Sequence, residues 1–284
     1  MTTRRRPYRT DLADEQWALV EPILTKWRQD RHSIRTPVHG LREIVDAIFY
    51  VNRTGVQWDL LPHDFPSAKT VYDYYAKWSK DGTDRIIHDL LRTRGRHHHG
   101  RGDEPTAAMV DSQSAKSAFS ADAATVGIDG NKKVKGRKRN IVTDTLGLLL
   151  LVLVTAANLH DVRPGRQLID HVADRHPSIS KMWGDSAYVG AVDHAATRGI
   201  DLEITTRGLG VSGFQPLWQR WKVERTLAWL GRSRRLARDY ETAPRSQESQ
   251  IYWTMTGIML RRVTHNAPVT TYRTTTDTPL PAET

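Results

Sequence analysis

Forty-two Lys and Arg against 32 Asp and Glu give this 284-residue chain a formal charge of +10, a balance that points to a polyanionic partner such as nucleic acid. Thirty-eight per cent hydrophobic residues, with nine Trp, argue for a packed core, in one large domain or a small one plus a medium one. The absence of Cys excludes disulfide scaffolds, zinc fingers, iron–sulfur clusters and thiol catalysis, and fits a reducing cytoplasm.

Residues 1–10 carry Arg4, Arg5, Arg6 and Arg9 with no apolar segment behind them, so they read as a flexible basic arm and not as a secretory signal. Apolar residues at Trp17, Val20, Ile23, Leu24 and Trp27 predict a helix over 14–27, and Leu41, Ile44, Val45, Ile48 and Phe49 predict a second over 38–51. A third, capped by Ser67, runs to residue 78 with Val71, Tyr74, Tyr75 and Trp78 inward. A fourth spans 83–91, which makes residues 1–92 an all-helical block. The polar, Gly-rich stretch 93–105 reads as a linker. Beyond it, short apolar runs at 107–110, 141–143, 148–155 and 181–183 predict strands, with a turn at 144–147. Helices are expected over 162–173, 191–198, 216–230 and 246–263. The second block, 106–264, is therefore a mixed sheet flanked by helices. The Thr- and Pro-rich stretch 265–284 is expected to be disordered. No apolar run reaches the roughly 18–20 residues of a membrane span.

Asp111 is expected to close the first strand of the second block and Asp185 to close another, while Glu224 lies inside a helix crowded with bases. Three carboxylates converging from strand ends and a packed helix would suit a pair of Mg2+ ions, which take hard oxygen ligands and activate attack at phosphorus. An acid after a strand is also a common turn or helix cap, so spacing alone leaves both readings open. Lys132, Lys133, Lys135, Arg137, Lys138 and Arg139 form a run without an acid, read as a phosphate contact, and Arg232, Arg234, Arg235 and Arg238 are read the same way. Helix three exposes Lys69, Thr70, Asp73 and Lys77 and would be the recognition helix of a helix-turn-helix-like module.

Longer motifs carry a resemblance. Gln57-Trp58-Asp59-Leu60-Leu61-Pro62 followed by residues 65–72, then residues 127–139, Asp144-Thr145-Leu146-Gly147 and Ala156-Ala157-Asn158-Leu159-His160-Asp161, make the chain resemble the DDE transposases of the bacterial insertion sequence 5 family over nearly its whole length. That resemblance implies a helical N-terminal DNA-binding domain and a ribonuclease H-like catalytic domain. It implies a triad of Asp111, Asp185 and Glu224 holding two Mg2+ ions, with Mn2+ as a substitute. It also implies double-stranded DNA as partner, both terminal inverted repeats and target, at least a dimer on DNA, and a place at the bacterial nucleoid. Of the signature around the third acid, Arg220 and Glu224 fit, whereas Leu217 stands in the Tyr place and Gly231 in the Lys place. Arg220, four residues before Glu224, shares its helix face and can hold carboxylate and phosphate. Arg232, Arg234 or Arg235 would replace the missing Lys.

Two matches are set aside. Residues 208–213 fit a dinucleotide fingerprint, but no second parallel strand comes after it. His97-His98-His99 stand without carboxylates in a basic stretch. The expected function is metal-dependent hydrolysis and strand transfer at element ends, against a non-catalytic DNA-binding regulator or a nuclease without strand transfer.

Overall fold

A computed structural model describes residues 5–31, 39–205 and 218–264, without the side chains of 218–220. The helical block contains α1 (Asp14–Gln29), α2 (Leu41–Thr54), α3 (Ala68–Asp81) and α4 (Thr83–His98). The expected cap of α3 is present, Ser67 Oγ accepting the Thr70 N–H at 3.3 Å. Val71, Tyr75 and Trp78 are buried as their spacing requires. Residues 55–67 separate α2 from α3, far more than the three or four residues of a helix-turn-helix, so that expectation is not supported by the connection.

The sheet contains β1 (Ala107–Lys116), β2 (Gly127–Asp129), β3 (Val134–Asp144), β4 (Leu149–Ala156), β5 (Lys181–Gly184) and β6 (Asp201–Ile204). Its order runs β2-β3-β1-β5-β6, with β4 also paired to β3. β1 is parallel to β5, and β5 to β6, while β3 runs antiparallel to β1, β2 and β4. Helices α5 (Val162–Arg175) and α6 (Val192–Thr197) come after β4 and β5, and α7 (Trp218–Leu230) and α8 (Pro244–Thr264) come last. The expected mixed sheet with flanking helices is thus observed.

Strand alternation divides the interior into two layers. Ala108, Val110 and Val142 face α5 and α6, with Leu168, Ile169 and Val172. Met109 and Ile141 face the other way, into a larger core shared with α1–α4, α7 and α8. That larger core crosses the expected block boundary. Trp253 of α8 packs edge-on to Phe49 of α2 and lies beside Trp78 of α3, with centroids 5.5 and 5.9 Å apart. The Tyr75 hydroxyl donates to the Ser246 carbonyl, and Asn52 Nδ2 donates to Gln250 Oε1 at 2.8 Å.

Two expectations change. The linker begins inside a helix, since α4 continues to His98. The rest of the linker is tied down: Arg96 Nε donates to the Gly102 carbonyl at 2.8 Å, and Arg92 Nη2 to Glu104 Oε1 at 3.1 Å. The basic arm is also packed from Arg5 onward. Arg5 bridges Asp11 and Glu43 at 2.8 and 3.0 Å and lies 4.1 Å from the centre of the Phe65 ring. Residues 265–284 and the Gly-rich 208–213 lie outside the described residues. Among the described residues, no helix is long and apolar enough to cross a membrane.

Candidate active site

Parallel pairing of β1 with β5 ends at Met109 and Trp183. Beyond that point the strands part, and Asp111 and Asp185 line the cleft that opens between them, with Val223 of α7 as its far wall. Asp111 lies in the middle of β1, not at its end, paired with Ile141 across to β3. The cleft is small, about 10 Å3, room for one water-sized occupant. Anything larger must approach from its open side.

Backbone donors fix both acids. The Ser112 N–H donates to Asp111 Oδ1 at 2.7 Å, and the Ala187 N–H to Asp185 Oδ1 at 3.0 Å, where Asp185 caps the short 3-10 turn Ser186–Ala191. Glu224 comes directly after Val223 and is exposed. Its helix is seated on the turn between β3 and β4. Thr226 Oγ1 donates to the Gly147 carbonyl at 2.6 Å, and Arg225 Nη2 to the Leu146 carbonyl at 2.8 Å. Gly147 is required twice: its φ is +75°, and a Cβ there would lie 2.9 Å from Thr226 Oγ1.

A fourth acid, Asp161 of the motif Ala156-Ala157-Asn158-Leu159-His160-Asp161, belongs to this neighbourhood. Asp161 accepts from the Ser112 hydroxyl at 2.9 Å and from Lys138 Nζ at 3.1 Å. Beneath the acids lies Tyr188, buried, its ring close enough to Gly165 that a Cβ there would meet it at 2.8 Å. Burial pushes the Tyr188 phenol well up, and the charges of Asp111, Asp161 and Asp185 push the same way. The sequence signal is His160-Asp161, a few residues beyond the end of β4.

The cleft acids are hard oxygen donors, which suits Mg2+ in kind. Among the described residues, however, no three His, Asp or Glu side chains stand together in a metal-holding arrangement. Asp111 and Asp185 share a cleft, and Glu224 is on the helix that walls it.

The basic residues divide sharply. Lys132, Lys133 and Lys135 are exposed, as are Lys69, Lys77 and Arg234; Thr70 and Arg232 are half-buried. Lys69 pairs with Asp73 at 2.8 Å. Arg137, Lys138 and Arg139 are buried, which corrects the expectation of a phosphate-facing run. Arg137 pairs with Asp239 at 3.0 Å, both fully enclosed, and Arg139 Nη2 donates to the Leu236 carbonyl at 2.8 Å. Lys138, besides Asp161, holds the Leu159 carbonyl at 2.9 Å. Arg235 is likewise internal, paired with Glu241 at 2.7 Å. These guanidinium and ammonium groups already have partners out of reach of a phosphate. The Arg220 side chain lies outside the described residues. Of the three histidines, His97 contacts Asp103 and His99 meets the Gly95 carbonyl at 2.8 Å.

Comparison with known proteins agrees with this arrangement. Residues 12–88 match a family described as "Putative transposase of IS4/5 family". A Burkholderia cepacia protein described as "Putative transposase for insertion sequence element IS402" is 35% identical over 119 residues, which cover 37% of this chain and 54% of that relative. The chain thus spans about half of the relative's length. Residues 102–260, more than half of the chain, match the transposase DDE domain family. With its two acids in the β1–β5 cleft and α7 closing over them, the chain belongs to the DDE transposases of insertion sequences.

Proposed function

We propose that this protein binds the terminal inverted repeats of an insertion sequence, hydrolyses a phosphodiester to leave a 3′-hydroxyl, and transfers that hydroxyl onto target DNA. The observation that carries the reading is the cleft holding Asp111 and Asp185 under α7. Its strand arrangement, with β3 reversed in an otherwise parallel β1-β5-β6 sheet, supports a ribonuclease H-like catalytic domain. Asp111, Asp185 and Glu224 would hold Mg2+, with Mn2+ as a substitute. When bound, the metal supplies Lewis-acid polarisation and charge neutralisation at phosphorus.

The chain's own groups do the positioning. The Ser112 and Ala187 N–H groups each engage one oxygen of their Asp and so hold the two carboxylates that line the cleft. Lys138 compensates the charge of Asp161, which otherwise adds to the repulsion among the acids. Thr226 and Arg225 hold α7, and with it Glu224, at a fixed height over the sheet. A water and a DNA hydroxyl are interchangeable attackers at one such site, so no covalent enzyme intermediate is required. Exposed Lys132, Lys133, Lys135, Lys77 and Arg234, with Lys69 in its surface pair with Asp73, are the bases that would face DNA. Joining two element ends requires at least two copies on DNA.

Incubation with labelled element ends, Mg2+ and target DNA tests the reading. Nicked ends and joined products are expected, both abolished by a chelator. Nicks without joining would leave a nuclease; binding without nicks would leave a regulator.

A further inference from the structure

Behind α7 lies a second cavity, of about 460 Å3, between α2, α8, the end of α7 and residues 9–13. Its apolar walls include Phe49, Trp229 and Trp253, its neutral polar lining includes Gln16, Asn52 and Thr254, and its charged lining is cationic but for one carboxylate: Arg9, Arg53, Arg232 and Arg261. The one carboxylate in the lining, Asp11, already accepts from Arg5 at 2.8 Å and from the Tyr8 N–H at 3.1 Å. Arg262 and Arg225 join the group from the α7 side. Both lie against the Trp229 ring, 4.0 and 4.6 Å from its centre, and Arg225 also against Trp221 at 4.7 Å. Among the described residues, none of Arg9, Arg53, Arg232, Arg261 and Arg262 is paired with a carboxylate.

We propose that this cavity is a phosphodiester-binding site, which takes the backbone of a DNA strand on its way past the acidic cleft. The assignment rests on the nucleic-acid reading above and adds a site to it. Arginines present donors and no acceptor, so a lining of this kind is complementary to an anion with several acceptor oxygens. A guanidinium held against an indole face can still present N–H groups to such oxygens. Position agrees as well. Val223, which lines the acidic cleft, and Trp229, which lines this cavity, lie on one helix, about 9 Å apart along its axis. The two sites are thus neighbours on α7, on faces about 120° apart round its axis.

These arginines repel one another. Burial, then Arg225, Arg232 and Arg261, push the Arg262 guanidinium down to about 10, and burial, then Arg53 and Arg232, push Arg261 down. An anion among them removes that repulsion.

The test uses the full chain and a fluorescent duplex of arbitrary sequence, monitored by anisotropy between roughly 50 and 200 mM salt. The paired variant Arg53→Gln/Arg261→Gln should bind about tenfold more weakly, with a salt slope flatter by roughly 0.9 for each phosphate no longer neutralised. Its melting temperature without DNA should be unchanged or higher, because like charges have been removed. Arg53→Lys/Arg261→Lys, which keeps the charge, should retain the slope. Unchanged affinity and slope in the Gln pair would overturn the assignment. So would a Lys pair that melts lower and no longer binds, since the arginines would then be structural. Inorganic phosphate that stabilises the unmodified protein as much as the duplex does would mark a free-anion site and overturn the backbone assignment. Failure of the unmodified chain to bind any DNA would instead overturn the transposase reading, and this site with it.

Discussion

Asp111 is half-buried in mid-strand and lines the cleft, with the Ser112 N–H donating to its Oδ1. A Cys thiolate is a poor ligand for Mg2+ and a tolerable one for the softer Mn2+. Asp111→Cys should be inactive with Mg2+ and partly rescued by Mn2+, whereas Asp111→Ala should stay inactive with both. Equal rescue of the two in a cleavage assay would reduce Asp111 to a structural role. Among the bases, burial decides the outcome. Replacing Lys132, Lys133 and Lys135 by Ala should weaken binding to all DNA alike and flatten the salt slope by roughly 0.9 per phosphate, with little change in stability. Arg137→Ala leaves Asp239 charged and enclosed, and should cost about 3–5 kcal/mol in denaturant unfolding. In the sequence the six bases form one uninterrupted run. What separates them is that β3 is paired on both edges and covered on both faces from Gly136 onward, and a charge run gives no sign of that.

At the scale of elements, apolar periodicity located the helices and the strand cores, because those patterns are set by the face each element buries. Their ends were harder to read. β3 was expected over 141–143 and begins at Val134, since its first half is held by main-chain pairing and internal ion pairs rather than by apolar side chains. α4 outran its apolar face because Arg92 and Arg96, both buried, extend it through polar contacts. Seating of α7 gives one prediction. Gly147→Ala forces a strained φ and a contact at 2.9 Å with Thr226, so cleavage should fall at least tenfold while binding through the exposed lysines persists. Docking of α8 on the sheet gives another. Glu248 accepts the Val154 N–H at 2.8 Å, and burial pushes its carboxyl up to about 7. A carboxyl raised in the folded state stabilises the fold in its neutral form, at low pH. That contribution disappears as pH rises through about 7. Melting temperature should therefore decline between pH 5 and pH 8, and Glu248→Gln should flatten the decline while keeping an acceptor for Val154; an equally steep profile in the variant would exclude Glu248 as its source.

For the whole molecule, two blocks in sequence become one packing unit in space. Composition marks the change from helices to strands near residue 100, but it holds no record of which helices later return to the first block. α8 returns. Its buried run from Ser249 to Leu260 fills the centre of the N-terminal helices, and Tyr75, Asn52 and Trp78 all reach α8. A fragment comprising residues 1–92 lacks this element and should show little cooperative unfolding by circular dichroism; adding a peptide spanning residues 244–264 should restore helicity, and a cooperative transition in the fragment alone would contradict the dependence. The two acids of the cleft, Asp111 and Asp185, were legible as strand-associated acids, whereas the place of Asp161, Lys138 and Tyr188 around them was not, because strand pairing and the glycines that admit the Tyr188 ring bring together residues far apart in the chain. The dependence on α8 also sets an order in time. At roughly 5–20 residues per second, the ribosome needs on the order of 10–30 s to make the chain between the end of the first block and α8. During that interval α1–α4 lack their central partner, so a nascent or prematurely terminated chain has an unfinished helical block. Only a polypeptide that already carries its cleft acids and α7 can complete the fold that would occupy an element end.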